Sequence, residues 1–419
     1  MVLIQGKSLP QDDWHRKYYW DLRKVAWQCS RCSVCKWIDS WEVKDARFAK
    51  VCPCNLKYLF DAYSCQGRMD IALALIDGRL KYEDSPELLD IYYKCDTCGG
   101  CDASCKRVQD MEPLRVMLEI RAKLVEDGQL LPQHMPVLES VRKEDNMMMR
   151  AKANRGKWAE GLNAKDLTVE KAEIVLHAGC NLSFDEELWN VPRTMVTLLN
   201  NAGIDVGIMG KDETCCGSRL YDMGYRGEFT KYAENNIDAW KNAGVKSVVT
   251  ACSDCYWAMK HLYPDAVSNF EVLHIVELID RLVKSGRLTF TKNLPMKVTY
   301  HDPCHLGRRS NIYVPGQAIM GVYEPPRDII RSIPGIDLVE MYRIKEYAWC
   351  CGAGGGVKEA YPDFSSWIAR ERIEEAKAVG AEAIVTACPW CERNFTDAIN
   401  ESGNRIEVYD IVELVQQAI

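Results

Sequence analysis

The sequence predicts an α+β protein: a mainly helical N-terminal part followed by two α/β halves related by approximate twofold pseudosymmetry. Three observations lead there. One stretch occurs twice: HAGC, TCCGSR, VVTACSDCYWAMK and VLHIVELI return downstream as HDPC, WCCGAG, IVTACPWCERNF and VYDIVELV. Within each copy, short β-branched runs alternate with helical stretches, the pattern of buried parallel strands. Ahead of the copies, apolar residues fall at helical spacing among ten of the chain's 20 cysteines.

Residues 1 to about 145 make the helical part. MDIALALIDGRL and SPELLDIYYKC have helical apolar spacing, and PLRVMLEIRAKLVEDG reads as a helix with Pro113 near its start and Gly128 past its end. The run Cys95, Cys98, Cys101, Cys105 is the Cys-x2-Cys-x2-Cys-x3-Cys spacing of a [4Fe–4S] ligand set. Cys29, Cys32 and Cys35 supply a second triplet. In two-cluster ferredoxins three cysteines of a run hold one cluster and the fourth holds the other. That gives Cys29, Cys32, Cys35 and Cys105 for one cubane cluster, and Cys95, Cys98, Cys101 and Cys52 for the other. Sixteen residues separate Cys52, which precedes Pro53, from Cys35 where three are usual, and Cys54 and Cys65 remain alternatives to it. Lys106 replaces the proline expected after Cys105. A zinc site in place of one cluster is the competing reading. Trp14, Trp20, Trp27, Trp37 and Trp41 crowd the first triplet, as a dry shell for a cluster or as a small core.

Residues 129 to 170 read as a polar connector, a surface helix followed by a linker at 146–170, with Met147, Met148 and Met149 as packing filler. The α/β halves then span 171–292 and 293–419. EIVLHA, SVVTA, KVTYH and AIVTA are the strand candidates. FTKYAENNIDAWKNAG and SSWIARERIEEAKAVG are helices ending at glycine. Each cysteine motif follows a strand, where open α/β sheets place their sites. Cys180 to Cys215 is 35 positions and Cys304 to Cys350 is 46. The proline-marked stretch YEPPRDIIRSIPGID is the expected loop insertion.

Each copy carries five cysteines in one order: Cys180, Cys215, Cys216, Cys252, Cys255, then Cys304, Cys350, Cys351, Cys388, Cys391. Thiolates are soft ligands for iron–sulfur clusters and zinc. Five exceed the four of a cubane or a structural zinc site, and adjacent cysteines suit neighbouring irons better than one metal. Gly217, Gly352 and Gly354 would let backbone N–H groups approach cluster sulfur. GAGGGV lacks the last glycine of a dinucleotide loop. His301 and His305 flank Cys304 and could deliver a proton, while His177, the counterpart of His301, reads as a hydrogen-bonding residue. Arg308, Arg309 and Lys358 are candidate anion-binding groups on the surface.

A net charge of −7, made more negative by clusters, speaks against a nucleic-acid partner. The N-terminus turns polar after four residues, and no run of 18 apolar residues exists, so neither a signal peptide nor a membrane span is expected. Twenty cysteines without a secretory signal point to the reducing cytoplasm, any membrane association coming through a partner.

The Cys-x34-Cys-Cys-Gly-x34-Cys-x2-Cys pattern and its more widely spaced second copy, with HDPCHLGR and CCGAGGGV, resemble the CCG domains of the heterodisulfide reductase family. A two-cluster ferredoxin segment ahead of two such domains is similar to the D-type polypeptide of that family. The same architecture occurs in the C-type polypeptide of anaerobic glycerol-3-phosphate dehydrogenase and in electron-transfer proteins of benzoyl-CoA reductase complexes. The resemblance implies a noncubane [4Fe–4S] cluster in each quintet, with zinc in one of them as the alternative. It also implies an anaerobic host and an oxidoreductase subunit passing single electrons to a paired site that reduces a disulfide. The alternative is a relay within a larger complex, with no disulfide substrate of its own. No flavin or nicotinamide motif is present. Electrons are therefore expected from a partner: a flavoprotein, a hydrogenase-type subunit, a membrane cytochrome b or a larger reductase.

Overall fold

The computed structural model describes residues 21–264, 269–310, 321–403 and 405–419. Trp14, Trp20 and the first residues read for targeting lie outside these. Helices fill the N-terminal part, including Cys65–Ile76, Leu88–Tyr93, Gly100–Gln109 and Pro113–Glu126. Pro113 sits in the first turn of the last of these, where a missing N–H costs nothing.

Two parallel sheets follow. The first comprises β1 (Lys165–Asp166), β2 (Ile174–Leu176), β3 (Val206–Ile208), β4 (Ser247–Thr250) and β5 (Glu271–His274), in the order β1-β3-β2-β4-β5. The second comprises β6 (Met296–Tyr300), β7 (Ile336–Leu338), β8 (Ala383–Thr386) and β9 (Glu407–Asp410), in the order β7-β6-β8-β9. All pairings are parallel. Apart from β1, the strand order is the same in both. The central strands β2, β4 and β8 are buried throughout, so β-branched residues fill them on both faces. One hydrophobic core runs from Val137 to Ala418 and unites the two sheets, while a second core fills the N-terminal part.

In both copies a strand runs directly into a capped helix. His274 caps Ile275–Lys284 and Asp410 caps Ile411–Ala418, each in a capping box with the glutamate three residues on, Glu277 or Glu413.

Three expectations are corrected. Most of the proline-marked stretch of the second copy is a helix, Glu324–Ser332, with Pro325 and Pro326 in its first turn; it occupies the chain position held by Asn190–Asn201 in the first copy. The extra length lies on either side of it. Residues 146–170 are not a free linker: Met147, Trp158 and Leu167 are buried in the shared core, and β1 joins the first sheet. Trp27, Trp37 and Trp41 are 66%, 44% and 74% exposed, so they neither wrap a centre nor build a core. No helix among the described residues is long and apolar enough to cross a membrane.

Candidate metal centres

The carboxyl ends of the central strands deliver the repeated cysteines. Cys180 lies in the first turn of the helix Gly179–Phe184 after β2, and Cys252 caps the helix Ser253–Trp257 after β4. Cys388 caps Pro389–Ser402 after β8, and Cys304 follows β6. Cys255 and Cys391 sit one turn into their helices. All are buried except Cys304, which is half-buried. Gly179 has φ +75°, and a Cβ there would stand 2.9 Å from Cys255 Sγ, so glycine permits the close approach of this turn to that thiol. Gly217 and Gly352 donate their N–H groups to Cys215 Sγ at 3.4 Å and Cys350 Sγ at 3.3 Å.

Within the first copy the thiols lie in hydrogen-bonding reach in the order Cys180, Cys215, Cys216, Cys255, Cys252. Within the second the order is Cys304, Cys350, Cys351, Cys391, Cys388. Cys252 also reaches Cys388, so the ten thiols form one continuous row. The pKa of Cys216 falls to about 5 because Cys215 and Cys255 hydrogen-bond to its sulfur. Buried thiols packed in a row this way are a ligand set for soft metal.

The N-terminal cysteines divide into two groups. Cys29, Cys35, Cys65, Cys101 and Cys105 share the N-terminal core, with Cys65 in reach of Cys35, Cys101 and Cys105. Cys52, Cys54 and Cys98 pack elsewhere, together with Cys304 and Cys350. Cys98 reaches Cys350, which lowers its pKa to about 6. Cys54 donates to Lys94 O at 2.9 Å, and Cys32 is exposed.

His301 is fixed from behind. Arg372 Nε donates to its Nδ1 at 3.2 Å, and Glu375 and Arg343 O hold Arg372 in turn. With Nδ1 accepting, the ring's proton is on Nε2. A ring nitrogen of His301 lies within 4.8 Å of the sulfurs of Cys351 and Cys391. This tautomer makes His301 a hydrogen-bond donor rather than a metal ligand. His305 Nδ1 lies 3.4 Å from Cys304 Sγ and 3.1 Å from Asp254 Oδ1. Burial and Arg309 press the pKa of His305 down, but Asp254, Cys304 and Asp222 outweigh them and lift it to about 10. Arg309 Nη1 nevertheless stands 2.7 Å from Nε2, which therefore accepts. That contact decides, because a guanidinium can only donate; the ring's proton is on Nδ1, facing Asp254 and Cys304. Both nitrogens of His177 are buried without a hydrogen-bond partner.

Gly354 is placed differently from Gly217 and Gly352. A Cβ at Gly354 would meet Asp96 O at 2.7 Å, and one at Gly355 would meet Cys95 O at 2.7 Å. These glycines admit the backbone of the N-terminal cysteine loop. Arg308 and Arg309 are buried rather than superficial. Arg308 donates to the carbonyls of Cys98, Glu346 and Ala348, and Arg309 to Thr97 O and Asp222. Lys358 is tied to Asn394 and Asp397.

Sequence reasoning missed Arg155, Arg68 and Arg121. Arg155 Nη2 points at Cys180 Sγ, 3.4 Å away, and Nη1 pairs with Glu213 at 2.8 Å. Glu213 in turn accepts the N–H groups of Ala178 and Gly179. Arg68 is buried and interacts with Cys52, Cys54 and Cys95. Arg68 Nη2 and Arg308 Nη2 are buried with no partner. Unpaired buried guanidinium N–H groups beside thiols are costly unless an anion meets them. Iron–sulfur clusters, whose sulfides and thiolates carry negative charge, are such anions, and the residues present fit them.

Two all-parallel sheets presenting five cysteines apiece, behind a helical part with ten more, define an iron–sulfur oxidoreductase. The sequence profile of the cysteine-rich (CCG) domain matches residues 174–260 and 298–396. The chain is 32% identical over 406 residues to the D-type polypeptide of the dihydromethanophenazine:CoB–CoM heterodisulfide reductase of Methanosarcina acetivorans, covering 93% of each. The corresponding polypeptide of Methanosarcina mazei is 33% identical over 343 residues, 80% of this chain and 79% of that one. The EtfAB:quinone oxidoreductase of Syntrophomonas wolfei is 29% identical over 343 residues, 78% of this chain and 46% of that protein. The chain belongs to the D-type family of the heterodisulfide reductases.

Proposed function

We propose that this chain is an electron-accepting subunit that reduces a disulfide at its paired five-cysteine sites. The observation that supports this most is the approach of Cys252 to Cys388, which makes one site of two quintets. Cys29, Cys32, Cys35 and Cys105, and Cys95, Cys98, Cys101 and Cys52, would hold two cubane clusters, with Cys65, which reaches Cys35, Cys101 and Cys105, as the alternative to Cys52, and the two quintets would hold noncubane ones. Bound clusters would supply one-electron chemistry. The chain's own part is to orient and to protonate. Gly217 and Gly352 donate to ligand sulfur. His301, locked by Arg372, keeps its remaining N–H toward the thiols. His305 carries its proton beside Cys304 for a product thiolate. The reductant is a redox partner subunit, in keeping with a relative named as one subunit of a heterodisulfide reductase.

A relay without a disulfide substrate is the second reading, favoured by the likeness to an EtfAB:quinone oxidoreductase, whose name holds no disulfide. Anaerobically purified protein given reduced viologen and CoM-S-S-CoB, or a panel of other disulfides, separates the two. Turnover supports the reductase; reversible reduction with no disulfide consumed supports the relay. Four clusters of four irons predict about sixteen irons per chain, and a colourless, zinc-only protein would exclude both.

A further inference from the structure

We infer that the two five-cysteine sites are not interchangeable: the second is the port through which electrons reach the pair, and Arg308 positions the N-terminal thiols against it. This rests on the electron-carrying role proposed above.

The packing carries the inference. All five cysteines of the first copy lie in the core shared by the sheets, together with Cys351, Cys388 and Cys391. Cys304 and Cys350 pack instead with Cys52, Cys54 and Cys98. The second quintet therefore straddles two environments. At one end Cys350 meets Cys98, and at the other Cys388 meets Cys252. Among the described residues, no N-terminal cysteine packs in the core that holds the first quintet. Electron transfer slows steeply with separation, so this order of contacts sets the order of transfer.

The junction is built, not incidental. Arg308 Nε donates to Cys98 O at 2.6 Å, and its Nη1 to Glu346 O at 3.0 Å and Ala348 O at 2.6 Å, just ahead of Cys350. One guanidinium thus ties the N-terminal loop to the segment leading into the adjacent cysteine pair. Gly354 and Gly355 allow the same loop to lie backbone to backbone on the second copy. The first copy meets this loop through Asp222, a carboxylate, which accepts from Thr97. Each reduced one-electron carrier gives one electron to the N-terminal thiol-held centres. The second site takes that electron and passes it on to the first, becoming oxidised again as the first is reduced. A second carrier then leaves one electron in each site.

The full chain, prepared without oxygen, is mixed with a limiting amount of reduced methyl viologen and freeze-quenched for EPR, with iron counted beforehand. Cys216→Ser disables the first site and Cys351→Ser the second. Cys216→Ser is expected to leave reduction of the second site at its wild-type rate. Cys351→Ser, with iron still present in the first site, is expected to slow reduction of that site about tenfold or more. Arg308→Gln is expected to slow filling of the second site while its iron content and line shape stay unchanged, with Arg308→Lys recovering part of the rate. A first site that fills at the wild-type rate in Cys351→Ser overturns the inference. If that variant does not assemble iron, an unchanged filling rate in Arg308→Gln overturns it instead. Wild-type protein that holds no iron would defeat the electron-carrying role itself, a separate result.

Discussion

Buried guanidinium groups surround the thiols, and they are where reading residues one at a time falls short. The cysteines are legible because metal ligation demands a residue type at a spacing, and both survive in the letters of the chain. Arg155 sits in ANRGKW, a stretch with no apolar period, and an arginine in a polar stretch reads as solvated. Only the fold reveals that it is 1% exposed and aimed at Cys180. Its pairing with Glu213 gives a first prediction. Arg155→Met leaves the Glu213 carboxylate buried without its cation and should cost about 3–5 kcal/mol. Urea unfolding of the oxygen-free protein measures this. The double variant Arg155→Met with Glu213→Gln should recover part of the loss, because the unpaired charge goes with it. Gly179→Ala gives a second. Its Cβ would press on Cys255 Sγ at 2.9 Å in a left-handed turn, so destabilisation of about 1–3 kcal/mol is expected. Iron should be lost from the first site and retained in the second, as Mössbauer quantification would show.

Strands are legible in proportion to their burial. The runs at β2, β4, β6 and β8 show in their β-branched residues, whereas β1, β3, β5, β7 and β9 do not. Length does not separate the two groups, since β2 is as short as β3 and β7; burial does, and several of the hidden strands, such as Ile336–Leu338 with its exposed Asp337, lack a continuous apolar run. The prolines of Glu324–Ser332 suggest a loop because proline breaks helix interiors, but in a first turn it removes no bond. The capped helices yield a pH prediction. His274 takes Val276 N–H on Nδ1 and donates Nε2–H to Ala251 O, an arrangement that needs the neutral ring. Burial lowers its pKa from 6.5 to about 4, and burial does the same for His134. Between those values the unfolded chain binds protons that the folded chain refuses, so stability is full above about pH 6.5 and falls as the pH drops toward 4. Each histidine is worth roughly 3 kcal/mol over that window. Urea midpoints measured from pH 7 to pH 5 should fall accordingly, and His274→Asn should flatten part of the slope.

At the scale of the whole molecule, one loop touches all three parts, beside further contacts such as those of Arg47 with Glu371 and of Arg343 with Lys50 O. Cys95, Asp96 and Thr97 lie where the N-terminal part meets both sheet-bearing copies, and Arg121 is the joint. Its guanidinium is fully buried and donates to four carbonyls: Tyr92 at 2.7 Å and Cys95 at 2.6 Å in the N-terminal part, Asp222 at 2.9 Å in the first copy, and Gly355 at 2.8 Å in the second. Nearby, a Cβ at Gly224 would meet Arg121 O at 2.4 Å, so the first copy also depends on bare backbone here. No repeat or spacing announces such a joint, because its partners are carbonyls that every residue has. Arg121→Met strips donors from buried carbonyls, each costing about 1–3 kcal/mol when left unmade. A loss of about 4 kcal/mol or more at this junction is therefore expected, without damage to either sheet core. Unfolding should separate into two transitions, the N-terminal part releasing first while the far-UV signal of the sheet-bearing part persists to higher urea. Electron delivery to the paired sites should fail under conditions where their iron is still bound. A single transition at the wild-type midpoint, with unchanged delivery, would mean that the parts are held together elsewhere.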